Sequence, residues 1–270
     1  IPPAFFAIGY APRGWDMQGV GFFGGLRYNG DSDFFFLFQS VIKGGCIMYN
    51  CAKCFQRGCT KQDMTKTLPE CPSKDTAVQE QAKELYRDPE NYRIAYCAAL
   101  TEAGGYCKDT RMIEIIKFLH RAGYKKIGLA FCTGLFKEAQ EVVKILEYNG
   151  FEVVSIICKN GAITKDFLGI TDAQAVRGNC KTESMCNPIG QALLLNEQKT
   201  EFNLMLGLCV GHDTLFIKYS QAPMTALAVK DRVTGHNPLA AIYLAQGYYN
   251  KKFYPDDPEE LNPHDTEYNC

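Results

Sequence analysis

Between Lys126 and Ala245 the chain repeats one rhythm: a short apolar run, a turn, then an amphipathic stretch closed by glycine or reopened by proline. Lys126 to Phe131 reads as a buried strand and Leu135 to Tyr148 as a helix ended by Asn149-Gly150. Phe151 to Ile157 reads as a second strand, and Asn187-Pro188 opens a helix through Leu195. Phe202 to Leu208 makes a third strand, Gly211 to Tyr219 a helix, and Met224 to Val229 a fourth strand. His236-Asn237-Pro238 starts a last helix through Ala245. Strands alternating with helices at this spacing imply right-handed crossovers, hence a parallel sheet with helices on both faces. The expected fold class is α/β, a Rossmann-like parallel sheet of about four or more strands, occupying residues 124–250.

Ahead of this domain, Asp109-Thr110 supplies a helix N-cap, and Met112, Ile113, Ile115, Ile116 and Leu119 form an apolar face before Gly123 ends the helix. Thr76 to Tyr86 and Tyr92 to Ala103 carry helix formers separated by Asp88-Pro89 and read as a helical hairpin. Residues 76–123 are therefore expected to be helical. Residues 1–47 show Phe-rich and Gly-rich patches with no sustained period, and Lys43-Gly44-Gly45 is what an in-frame ribosome-binding sequence would encode shortly before Met48. They are expected to be a non-native or disordered leader, with Met48 as the start. Residues 251–270, rich in Pro and Asp, read as a mobile tail.

The 13 cysteines carry the chemistry. Their number is odd and they are spread over a chain of enzyme size, which argues against a small disulfide scaffold and for metal-bound or free thiols in a reducing cytoplasm. One group is compact: Cys51, Cys54, Cys59 and Cys71, with two, four and eleven residues between successive members, flanked by Gly58, Pro69 and Pro72. Such a turn-rich segment is no apolar core, so residues 48–75 read as a four-Cys knuckle for zinc or an iron–sulfur cluster. The other group is dispersed. Cys132, Cys158 and Cys209 each follow a hydrophobic run, and ligands of open parallel sheets collect beyond the carboxyl ends of the strands. Cys186 precedes the helix that leads into the third strand and is expected to start at the opposite rim unless the loop from Gly161 to Ser184 folds it back.

Thr133-Gly134 and Gly211-His212 place helix starts beside Cys132 and Cys209, which should lower thiol pKa values. Cys132, Cys158, Cys186 and Cys209 could hold a cluster or a zinc ion. Alternatively, Cys132 could act as a nucleophile with His212 as base. Lys230-Asp231-Arg232 belongs on the same rim, as an anion site or a solvated loop. Against these stands the ordinary reading that single cysteines at strand ends fill space. No GxGxxG or P-loop is present, so no nucleotide cofactor is expected. A net charge of −1 offers no footprint for nucleic acid, and no apolar run is long enough for a membrane span. The partners expected are a metal ion or cluster, with a small-molecule substrate or a redox partner.

The segments Cys51-Ala52-Lys53-Cys54, Gly105-Tyr106-Cys107, Ile127 to Cys132, Met185 to Pro188, Gly207 to Asp213, Lys230 to Val233 and His236 to Pro238 resemble a bacterial and archaeal family of metal-binding proteins, domain of unknown function number 1847. The resemblance runs from Met48 to Tyr249. It implies metal binding and favours Cys51, Cys54, Cys59 and Cys71 as one site, while the grouping of Cys132, Cys158, Cys186 and Cys209 on a rim is read from the strand ends. Three functions follow: an iron–sulfur protein in electron transfer or reductive chemistry, a zinc-binding regulatory or metal-handling module, or a thiol-transfer enzyme using Cys132.

Overall fold

The computed structural model describes residues 49–261, and the expectations for the leader (residues 1–47), for Met48 as the start and for the last nine residues of the tail (262–270) lie outside them. The chain divides into two compact units between Gln79 and Glu80.

The described residues of the first unit form short 3-10 turns at Cys51–Lys53, Gly58–Lys61, Met64–Lys66 and Pro72–Lys74. Asp63 caps the third turn through its side chain, accepting from the Thr65 N–H. Gly58 is buried where the chain doubles back. A Cβ there would stand 2.4 Å from the Asp63 carbonyl oxygen and 2.6 Å from that of Lys66, so only glycine fits.

The second unit holds the sheet. Helix α1 is Thr76–Leu85, which reaches into it across the division, followed by α2 (Pro89–Gly105) and α3 (Arg111–Ala122). Asp88-Pro89 begins a helix here: the Asp88 carboxylate accepts from the Glu90 and Asn91 N–H groups, and Pro89 occupies the first turn, where a missing N–H costs nothing. The elements that follow are β1 (Lys126–Phe131), α4 (Phe136–Tyr148), β2 (Glu152–Ile157), α5 (Pro188–Glu197), β3 (Phe202–Leu206), α6 (His212–Tyr219), β4 (Met224–Ala228), α7 (Pro238–Tyr243) and α8 (Asn250–Phe253). The four strands form one sheet in the order β2-β1-β3-β4, every pair parallel.

Period-two alternation sorts side chains onto two faces. Ile127, Leu129 and Phe131 of β1 and Phe202, Leu204 and Leu206 of β3 form one apolar cluster with Ile115 and Leu119 of α3 and Val142 and Leu146 of α4. Ala130 and Met205 point the other way, into a cluster with Ala192 and Leu195 of α5 and Phe216 of α6. Helices therefore cover both faces, as expected for an α/β sheet. No described helix is long and apolar enough to cross a membrane.

The strand order matters for the site. From β1 the chain steps to β2 on one side, then crosses back to β3 on the other. The helix after β1 packs on one face and the helix after β3 on the opposite one. The loops leaving these two strands diverge, which opens a crevice at their carboxyl ends.

Candidate functional site

Register brings the rim cysteines level. Phe131 pairs with Ile157 across β1 and β2 and with Leu206 across β1 and β3, so the next residues, Cys132, Cys158 and Gly207, stand side by side. The Cys132 N–H donates to the Leu206 carbonyl at 3.1 Å and the Cys158 N–H to the Phe131 carbonyl at 2.9 Å. Gly207 has φ 63°, and a Cβ on it would lie 2.2 Å from Leu135 Cδ1; glycine is what lets β3 turn off toward Cys209. Beneath this row the buried Gln191 donates from Nε2 to the carbonyls of Phe131 (3.2 Å) and Ile156 (2.7 Å), tying the ends of β1 and β2 to α5.

Cys186 lies on this same rim, contrary to the expectation that it starts at the opposite one. In a right-handed crossover the helix begins where the preceding strand ended, so residues ahead of α5 belong at the carboxyl ends of the strands. The excursion from Gly161 to Ser184 is closed on itself by a bridge between Thr164 and Ser184 and by a half-buried Lys165–Glu183 ion pair at 2.6 Å. The chain is then latched back. The Asn187 N–H donates to the Cys158 carbonyl at 2.7 Å, the Asn187 and Asn160 side chains bond at 3.1 Å, and Asn187 caps α5 through the Gly190 N–H.

The result is a row of thiols from three separate loops. The sulfurs of Cys158 and Cys186 are 3.9 Å apart, Cys132 stands beside Cys158 at the end of the neighbouring strand, and His212 at the start of α6 is close enough to lower the Cys186 thiol. Cys132 and Cys158 are buried and Cys186 is half-buried. Charge is distributed along the row in a definite way. Cys132 is lowered to about 5 by the hydrogen bond from Cys158, helped by the Gly134 N–H and Lys230 against the opposing effect of burial. Cys186 is lowered to about 4, again first by Cys158 and then by His212. Cys158 is pushed up because it keeps its proton to serve both neighbours and is itself buried. His212 is raised, chiefly by the Cys186 thiolate. The imidazole thus partners Cys186, whereas Cys132 is served by a backbone N–H and an amine.

Cys209 stands slightly apart, accepting from the Arg232 guanidinium at 3.2 Å. The Lys230-Asp231-Arg232 loop is accordingly a built part of the rim. Its two cations face thiols, while Asp231 is occupied by the Val233 and Thr234 N–H groups. His236, at φ 68°, closes the same turn by accepting the Asp231 N–H at its Nδ1 (3.1 Å). Among the residues without a site role, Cys97 and Cys180 are buried and Cys107 is exposed. His120 packs against Phe151 with the rings tilted by 35° and their centroids 4.5 Å apart.

In the first unit Cys51, Cys54, Cys59 and Cys71 all line one cavity of about 420 Å³. Cys71 is lowered by the N–H of Ser73. Four soft donors on one concave surface suit zinc or an iron–sulfur cluster. Among the described residues, no three or more Cys, His, Asp or Glu side chains are arranged as they stand to hold a metal ion, so at either place the thiols would have to draw together around one.

Fold and site together define a class: an α/β protein with an all-parallel sheet whose topological switch point is lined by cysteine. The chain belongs to the family described as "Protein of unknown function (DUF1847)", whose model matches residues 71–227. It is also similar to an uncharacterized protein of Methanocaldococcus jannaschii, MJ0455, with 50% identity over 169 residues, 63% of this chain and 84% of that relative. The family match takes in Cys71 and all four rim cysteines and leaves Cys51, Cys54 and Cys59 outside, a narrower span than the sequence resemblance.

Proposed function

We propose that this chain is a metal-binding protein whose working centre is the sheet rim, where Cys132, Cys158 and Cys186, with Cys209 or His212, hold a soft metal ion. The observation that carries the reading is the convergence of three cysteines from three different loops at the switch point, with the Cys158 and Cys186 sulfurs 3.9 Å apart; the lowered Cys132 and Cys186 thiols support it. Metal entry displaces the one proton Cys158 retains and gives a third thiolate. The 3.9 Å between Cys158 and Cys186 supports a single ion. Thiolates at about 2.3 Å from zinc stand about 3.8 Å apart along a tetrahedral edge. A cubane cluster carries its thiolates on separate iron corners, further apart. Lys159, Lys230, Arg232 and His212 compensate the negative charge of such a centre.

The knuckle is the second metal centre of the proposal, held by Cys51, Cys54, Cys59 and Cys71, and there zinc and an iron–sulfur cluster are equally suited. Metal analysis with a visible spectrum of anaerobically purified protein tests both centres. One equivalent of zinc lost in Cys186→Ser, with any visible absorption left unchanged by that substitution, is the expected result. Broad visible absorption bleached by dithionite and lost in Cys186→Ser would replace the single ion with a cluster, and metal-free protein would overturn the reading.

The same contact favours a second reading, reversible dithiol chemistry at Cys158 and Cys186. Closing their disulfide passes two electrons and the one proton that Cys158 retains to a partner disulfide, which leaves as one thiol and one thiolate. Metal-free protein that gains and loses one disulfide under a thiol buffer would establish it.

A further inference from the structure

Beside the thiol row lies a second, polar cavity of about 240 Å³, lined by Thr133, Lys159, Arg177, Thr182, Glu183 and Ser184. Each of the three rim cysteines is a near neighbour in sequence of one of these residues. Thr133 follows Cys132 and donates its N–H to the Cys158 sulfur at 3.3 Å, Lys159 follows Cys158, and Ser184 stands two positions before Cys186. The cavity therefore lies beyond the same strand ends, next to the loops that carry the sulfurs.

Its charge is positive. Glu183 is the sole carboxylate in the lining, and it is already satisfied: Lys165 pairs with it at 2.6 Å and the Arg177 backbone N–H donates to it at 2.8 Å. Lys159 is steadied by donating to the Ser184 carbonyl at 2.5 Å. The Arg177 guanidinium has no ion-pair partner among the described residues. One unpaired guanidinium, one fixed amine and three hydroxyls around a pocket of this kind form a receptor for an oxyanion.

We propose that this cavity is the substrate subsite of the rim centre and takes the phosphate or carboxylate of a small metabolite, presenting the rest of that molecule to the sulfurs or the metal they hold. The volume falls below the usual range for drug-sized ligands, which points to a molecule smaller than a nucleotide. The inference rests on the rim being the working site and is independent of which metal occupies it.

Calorimetric titration of the full chain with inorganic phosphate, succinate and uncharged glycerol tests it, alongside Arg177→Gln. Saturable binding of phosphate or of succinate is expected, with the stronger one naming the anion and glycerol silent. Affinity should fall at least tenfold in Arg177→Gln while metal content stays at the wild-type value. Absence of saturable binding by either anion, or binding that Arg177→Gln leaves intact, overturns the subsite. Metal content is read on the same samples, so a failure here is distinguishable from a failure of the rim centre itself.

Discussion

Removing the proton that Cys158 shares should unsettle the thiols on both sides of it, and Cys186, the half-buried one, can report this. In reduced, chelator-treated protein, Cys186 ionises at about 4, and its largest support is the hydrogen bond from Cys158. A hydrogen bond to a charged group contributes about 1.5–3 kcal/mol. At about 1.4 kcal/mol per pKa unit, its loss in Cys158→Ala should raise the Cys186 midpoint by about one to two units. Only the thiolate alkylates, so at pH 5 the rate at Cys186 should fall roughly two- to tenfold while the rate at pH 8 is unchanged. The assay is iodoacetamide alkylation from pH 3.5 to 9, read site by site by mass spectrometry. Cys158→Ser retains a donor of similar size and should keep the midpoint near its wild-type value, which separates hydrogen bonding from packing. A midpoint in Cys158→Ala within a few tenths of wild type, or alkylation at neutral pH falling first on Cys158, would refute the assignment of Cys158 as the shared proton donor.

Two further outcomes follow from the same geometry. Because the Cys186 thiolate raises His212, its imidazolium stabilises the fold fully below pH 6.5, and that contribution fades as pH rises through the raised value. NMR titration should therefore show the His212 ring turning over above 6.5 in the metal-free protein and at a lower pH in Cys186→Ser. The depressed Cys186 acts in the opposite sense, its contribution present above pH 9 and lost as pH falls toward about 4. Gln191→Ala, which frees two strand-end carbonyls and opens a cavity under the rim, should cost about 2–4 kcal/mol by urea denaturation. It should weaken metal retention along with stability, and an effect below about 0.5 kcal/mol would contradict the anchoring role.

The elements themselves were legible because their signals are local. Apolar runs bounded by Gly, Asn and Pro announce strands and helix caps, and Asp109-Thr110 to Gly123 reads directly as the helix Arg111–Ala122. Strand ends came out slightly long: β3 stops at Leu206, ahead of the expected Leu208, because Gly207 turns into the left-handed region to clear Leu135. Cys132 and Cys158 at the strand ends were visible for the same reason, since residue types that stop an apolar run mark a rim once the sheet is known to be parallel.

The remainder depended on contacts between residues distant along the chain. That Cys186 joins the rim follows from crossover handedness and from the Asn160–Asn187 latch, neither of which has a sequence period. Nor do Gln191, Lys159 and Arg177 carry a motif; they matter through the carbonyls, thiols and cavity they meet. By itself the sequence determined an α/β chain with thiols at its strand ends. Tertiary structure decided which thiols touch and which one keeps its proton, because hydrogen bonds and burial act through space over a few ångströms, while sequence patterning records only the periodicity of each segment.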